Sequence, residues 1–225
     1  MFDRQLFMDK CVEITKTTER DTLVKSAAKH ASGFGWETMC YGHNPESTME
    51  TLTRSIAEMY ISLMCVNMLF HVNPHEVGRQ VSGQLTGNAE VEVERDTFLE
   101  KCQEISDKSK ENQMNLGDFV TERAVTYAFQ ITAYGRDTSC TNETLAASIA
   151  DMYISLMSSM KYFDVDSDEV DRFIAEQMGI KRWEDMNAEE LEAALDRAHD
   201  SMGEEALAAM LGIEFDNDED DRQAE

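Results

Sequence analysis

The chain has 225 residues, 42% of them hydrophobic, and a formal net charge of −25 from 45 acids against 20 lysines and arginines. This length and apolar content suffice to bury a core. The charge repels a phosphate backbone and an anionic bilayer, which argues against a nucleic-acid polymer or a membrane as partner but leaves room for a small nucleotide, carried with Mg2+ or held in a local basic pocket.

Proline occurs only at Pro45 and Pro74, whereas methionine, alanine, glutamate and leucine abound, so the expectation is an all-α protein. The first helix is predicted from Asp3 to Thr18, with Leu6, Phe7, Met8, Cys11 and Ile14 on its apolar face. It opens an acidic, amphipathic N-terminus that lacks a secretory hydrophobic segment, and no later apolar run approaches the roughly 18 residues of a membrane span. A second helical segment is expected from Thr22 to Ser32. Glycines and polar residues then predict a break at Gly33-Phe34-Gly35 and another from Tyr41 to Pro45.

The next helix, Thr48 to Met64, reads TMETLTRSIAEMYISLM. Thr48 is its expected N-cap, and Leu52, Ile56, Met59, Tyr60 and Leu63 form one stripe. After a turn at His71 to Val77, Asn73 caps a helix through Val77 and Val81. His71 and His75 have i, i+4 spacing, but Pro74 interrupts them and a zinc site is not expected. Residues 88–95 read as a linker, because the valine–glutamate alternation from Glu90 to Glu94 is too short and acidic for a strand.

The pattern then begins again. A helix from Asp96 to Lys110 carries Phe98, Leu99, Cys102 and Ile105, and another runs from Phe119 to Thr132 before a break at Tyr134 to Ser139. Thr141 to Met157, TNETLAASIADMYISLM, repeats the earlier helix, with Thr141 as N-cap. Asp166 caps a last helix through Val170, Phe173 and Ile174, and the second copy places Asp164 and Asp168 where the first has His71 and His75. Agreement this close is an internal duplication, with modules at 1–87 and 96–183. Past Lys181-Arg182-Trp183, a helical extension is expected over 184–213 and a disordered acidic tail over 214–225. Five cysteines, odd in number and without CxxC spacing, suggest reduced thiols in a cytoplasmic protein.

Each duplicated helix carries one acid in the same place, Glu58 or Asp151. The first helix of each copy carries Asp9, Lys10 and Glu13, or Glu100, Lys101 and Glu104. A lysine and glutamate at i, i+3 form an ordinary solvated pair, and an acid beside an apolar stripe can sit at the edge of the packed face. The sharper reading gathers the acids. About four carboxylates converging from two helices would hold Mg2+ over a nucleoside triphosphate.

The first helix, the Ile-Ala-acid-Met-Tyr-Ile run, and Glu-Val or Asp-Glu-Val after a short turn resemble the MazG-like all-α NTP pyrophosphatases, to which dimeric dUTPases and dCTPases are related. The resemblance covers about Gln5 to Leu85 and Thr97 to Trp183 and implies two tandem MazG-like helical-bundle modules. It also implies EExxE on the first helix and ExxD on the later one. Here Lys10 and Lys101 stand at a glutamate position, and Ser55 and Ser148 at the glutamate of ExxD. With these departures, the resemblance implies a protein that binds or sequesters a phosphorylated nucleotide, or a nucleotide-derived signal, with little or no hydrolysis. Lys10, Lys101, Ser55 and Ser148 would contact phosphate. Trp36, Tyr41 and His43 in one glycine-rich loop, and Tyr134 and Arg136 in the comparable loop of the second copy, either stack on a base or anchor their loops by aromatic packing.

Two alternatives stand beside it. One is an active Mg2+-dependent pyrophosphohydrolase with Glu13, Glu58, Glu104 and Asp151 as ligands, and Asp9 and Glu100 filling in. The other is a helical interaction scaffold. The family's usual dimers imply that the duplication reproduces a dimer within one chain, packed through Tyr60, Ile61 and Met64 against Tyr153, Ile154 and Met157. The methionine-rich helices favour a further homo-oligomer. Small, acidic, duplicated proteins of this kind suit a phage or mobile element.

Overall fold

The computed structural model describes residues 2–202 except 92 and 113, with side chains described through residue 196. Side-chain caps start most helices. Asp3 accepts the Leu6 N–H and begins α1 (Arg4–Thr17), which α2 (Arg20–Cys40) follows. Thr48 and Thr51 each accept the other's backbone N–H in a capping box that begins α3 (Met49–Leu69). Asn73 caps α4 (Pro74–Thr86), where Pro74 fills a first-turn position that needs no donor. Glu94 precedes α5 (Arg95–Lys110), and Asn115 caps α6 (Leu116–Ala133). Thr141 and Thr144 repeat the capping box at α7 (Asn142–Phe163), and Asp166 caps α8 (Ser167–Met178). A 3-10 turn at Trp183–Asp185 leads into α9 (Ala188–Met202).

Among the described residues every regular element is helical, and the one β-type contact is an isolated antiparallel bridge between Phe2 and Arg182. The all-α expectation is met. No helix among them is long and apolar enough to cross a membrane. The end of the expected extension and the whole acidic tail lie outside the described residues.

α2 and α6 form the centre, with α3 along α2 and α7 along α6. α1 lies on α3, and α5 on α7. The last helices cross over: α4 packs on α7, and α8 on α3. One hydrophobic cluster therefore joins both copies, from Phe7, Leu52, Ile56 and Leu63 to Leu145, Ile149, Met152 and Phe173. The copies meet chiefly through α2 and α6 rather than through the duplicated helices, where side chains such as Asn67 and Tyr153 supply the link.

The break expected at Gly33-Phe34-Gly35 is not there, because α2 runs through it to Cys40. Close packing explains the difference. A Cβ on Gly35 would stand 3.4 Å from the Thr121 backbone, and one on Gly117 would stand 3.0 Å from Met39 Cα. With Ala27, Ala31 and Ala124, these glycines let α2 and α6 approach closely. The glycine in Gly33-Phe34-Gly35 that looks like punctuation is thus half of a helix–helix contact. α3 and α7 also outrun their expected ends, reaching Leu69 and Phe163.

Candidate functional site

The acids on α1 and α5 are exposed and locally paired. Lys10 Nζ lies 3.4 Å from Glu13 Oε2, and Lys101 Nζ 2.7 Å from Glu104 Oε1. Lys101 draws the Glu104 carboxyl below its ordinary range. Asp9 accepts from Gln5 Nε2 at 3.0 Å, and Glu100 is exposed. These pairs have the solvated i, i+3 and i, i+4 form.

Glu58 and Asp151 sit in a different setting, each facing a basic side chain of the central helix pair, His30 or Arg123. On α6, Arg123 Nε lies 3.0 Å from Asp151 Oδ1 in a half-buried ion pair, although the N–H direction falls short of a well-aligned hydrogen bond. The Phe119 ring lies 3.5 Å from the guanidinium carbon, and Arg123 Nη1 donates to Phe119 O, so the arginine is held from both ends. Burial raises the Asp151 carboxyl above its ordinary range, and Arg123 opposes that rise. On α2, His30 Nε2 stands 4.0 Å from Glu58 Oε2, its Nδ1 shares a 2.6 Å hydrogen bond with Ser62 Oγ, and Gln177 of α8 donates to Glu58 at 3.2 Å. Burial lowers the His30 imidazole from 6.5, and the Glu58 charge partly offsets this.

Thr48 and Thr141 begin the two copies 93 residues apart, and the same offset relates His30 to Arg123 and Glu58 to Asp151. The duplication thus sets a basic side chain beside the acid on each side, a guanidinium in one copy and an imidazole in the other. Sequence reasoning missed His30 and Arg123. Their signal was this shared offset, hidden because the surrounding segments of α2 and α6 differ so much.

A Mg2+ site needs carboxylates free to turn toward the metal. Here Lys10, His30, Lys101 and Arg123 stand beside the four acids expected as ligands. Among the described residues no group of three or more His, Cys, Asp or Glu side chains is placed to hold a metal ion. As arranged, these side chains do not form a donor set for Mg2+.

The residues expected at phosphate and base do not gather either. Ser55 and Ser148 are buried and donate to the carbonyls of Leu52 and Leu145 in their own helices. Trp36 is 54% exposed on α2. Arg136 ties the central helices together through a 2.8 Å bond to Asp21, beside Arg20, whose guanidinium donates to Tyr134 O.

The structure offers instead a cleft of about 720 Å3 between the end of α3, the start of α4 and α7. Met8, Met64, Met68, Val77, Asn67 and Tyr153 shape it, with His71 at its edge. Asn67 Nδ2 donates to Tyr153 Oη at 3.1 Å, and that hydroxyl in turn points at Met64 Sδ, 3.1 Å away. Such a volume falls in the range of small-molecule sites, about 300–1,000 Å3. Comparison with family models, with curated proteins and with solved structures finds no match.

Proposed function

We propose that this protein binds a small phosphorylated nucleotide and holds it without hydrolysing it. The Arg123–Asp151 ion pair carries the reading. The guanidinium stands 3.0 Å from the acid that the resemblance reads as a metal ligand, and there it would supply positive charge without an activated water. The other copy places the His30 imidazole at the equivalent position, 4.0 Å from Glu58. The α3–α4 cleft supplies a volume that admits a nucleotide.

The test is incubation with a panel of NTPs, dNTPs and cyclic oligonucleotides in the presence of Mg2+, with chromatography before and after heat denaturation. Disappearance of one nucleotide and its return intact on heating is the expected result. Conversion to monophosphate and pyrophosphate would make the protein a hydrolase. No depletion of any nucleotide would remove the nucleotide reading.

One observation favours the scaffold reading as a second role. Trp36, Met39, Val125 and Phe129 are exposed apolar residues on α2 and α6. Trp36 and Phe129 occupy equivalent places in the duplication, and large apolar side chains left exposed on two neighbouring helices suit contact with a second copy of this chain. Sedimentation velocity decides it: a monomer at every concentration tested removes this role.

A further inference from the structure

The two ends of the α2–α6 contact are equivalent by the duplication, and they have diverged. Gly42 and Gly135, both at positive φ, mark matching turns after α2 and α6. The same 93-residue offset pairs Val24 with Gly117, Lys25 with Asp118, Thr132 with Met39 and Arg136 with His43. At one end a Cβ on Gly117 would stand 3.0 Å from Met39 Cα, so the two backbones close on each other. At the other end Val24 stands in place of that glycine, and a cavity of about 210 Å3 opens between Arg20, Lys25, Ala28, Thr132 and Arg136.

Three cations border this cavity, and Asp21 is the one acid among its described lining residues. Three against one leaves two positive charges uncompensated, in a chain whose acids outnumber its lysines and arginines 45 to 20. Both arginines are held in place. Arg20 donates to Tyr134 O at 2.9 Å, and its guanidinium lies 5.0 Å from the centre of the Phe70 ring. Arg136 Nη2 lies 2.8 Å from Asp21 Oδ1. A guanidinium has five N–H donors, so each arginine keeps donors beyond these contacts. Lys25 forms no hydrogen bond or ion pair with the described residues. Like charges around one opening repel, a cost that an anion between them removes. The volume is smaller than the about 300–1,000 Å3 of sites that enclose a whole small molecule, so it suits one compact group. Guanidinium forks match phosphate oxygens in pairs, and a lysine adds a point charge.

We infer that the cavity between the start of α2 and the end of α6 binds a phosphoryl or pyrophosphoryl group, with Arg20, Lys25 and Arg136 as its donors. It shares no lining residue with the α3–α4 cleft. The anion binds there whether it is free pyrophosphate or the phosphate end of a nucleotide, so the site stands apart from the nucleotide reading above.

Titration calorimetry of the full chain with sodium pyrophosphate and with ATP tests it. The wild type is compared with Lys25→Asp, which installs the acid that the other copy carries at this place. Lys108→Asp, on α5 outside the cavity, makes the same change of charge elsewhere. Pyrophosphate should bind the wild type, bind Lys25→Asp more weakly by about tenfold or more, and bind Lys108→Asp within about twofold of the wild type. NMR of the wild type gives a readout independent of any variant's folding. The side-chain Nε–H signals of Arg20 and Arg136 should move on pyrophosphate addition, while that of Arg79 on α4 should not. ATP binding that falls in parallel in Lys25→Asp identifies a nucleotide as a source of the group, and binding of pyrophosphate without ATP identifies the free anion. Equal losses in Lys25→Asp and Lys108→Asp, or no binding of either compound, overturn the site. ATP binding that is unchanged in Lys25→Asp, with Arg20 and Arg136 unmoved, overturns the site and leaves the nucleotide reading standing.

Discussion

Arg123 Nε stands 3.0 Å from Asp151 Oδ1, and the matching residues of the other copy, His30 and Glu58, stand 4.0 Å apart. One pair has a permanent cation and the other has an imidazole, so the two sides of the duplication respond differently to substitution and to pH.

Replacing Arg123 with alanine leaves the half-buried Asp151 carboxylate without its partner and strips the packing over Phe119. A loss of about 1–3 kcal/mol is expected, the range for hydrogen bonds and contacts to charged groups. Urea denaturation at neutral pH measures it, and an unchanged midpoint would show that the pair carries no stability.

His30 yields a pH dependence with a defined sign. Burial holds its imidazole below 6.5, so the fold favours the neutral form. Its contribution is complete above the unfolded value and is lost as pH falls through the lowered folded value. The urea midpoint of the wild type should therefore drop more between pH 7.5 and 5.5 than that of His30→Gln. Equal drops would contradict the assignment. Glu58→Gln removes the charge that offsets the shift, and an NMR titration should then find His30 lower still.

Two glycines should respond in opposite directions to alanine. Gly33 faces open space within α2, and Gly33→Ala should stabilise by about 0.5–1 kcal/mol through helix propensity. At Gly117 the new Cβ meets Met39 Cα at 3.0 Å, a backbone atom that cannot swing aside. Gly117→Ala should destabilise by about 1–3 kcal/mol as α2 and α6 are forced apart. Thermal melts of both variants check the contrast.

The thiols should separate by accessibility. Cys11, Cys65, Cys102 and Cys140 are buried, while Cys40 is half-exposed at the end of α2. Burial also pushes the Cys102 thiol up to about 11, and a hydrogen bond with Cys65, together with burial, raises Cys11. A thiol-reactive dye should label Cys40 alone in the native protein and all five after denaturation. Rapid native labelling of Cys11 or Cys102 would show that α1 or α5 opens readily.

Much of the fold was legible in the chain. Thr48, Asn73, Thr141 and Asp166 cap the helices they were expected to cap, and Leu52, Ile56 and Met59 are fully buried, as their stripe requires. The candidate site was less so. Glu58 and Asp151 were noticed as acids in a repeated place, but their partners His30 and Arg123 lie on segments that do not resemble each other. Asn67 is not legible as a cleft residue because its partner, Tyr153, lies 86 positions away.

The sequence by itself determined the helices, their caps and the duplication, because those depend on hydrogen bonds and side-chain spacing within three or four residues of one another. Only the tertiary structure decided that Gly35 and Gly117 close the gap between α2 and α6, that α4 and α8 each pack on the other copy, and that Tyr153 reaches Asn67 from 86 positions away. Those contacts join residues far apart in the chain. They form only when both copies bury a shared core, so no local pattern encodes them.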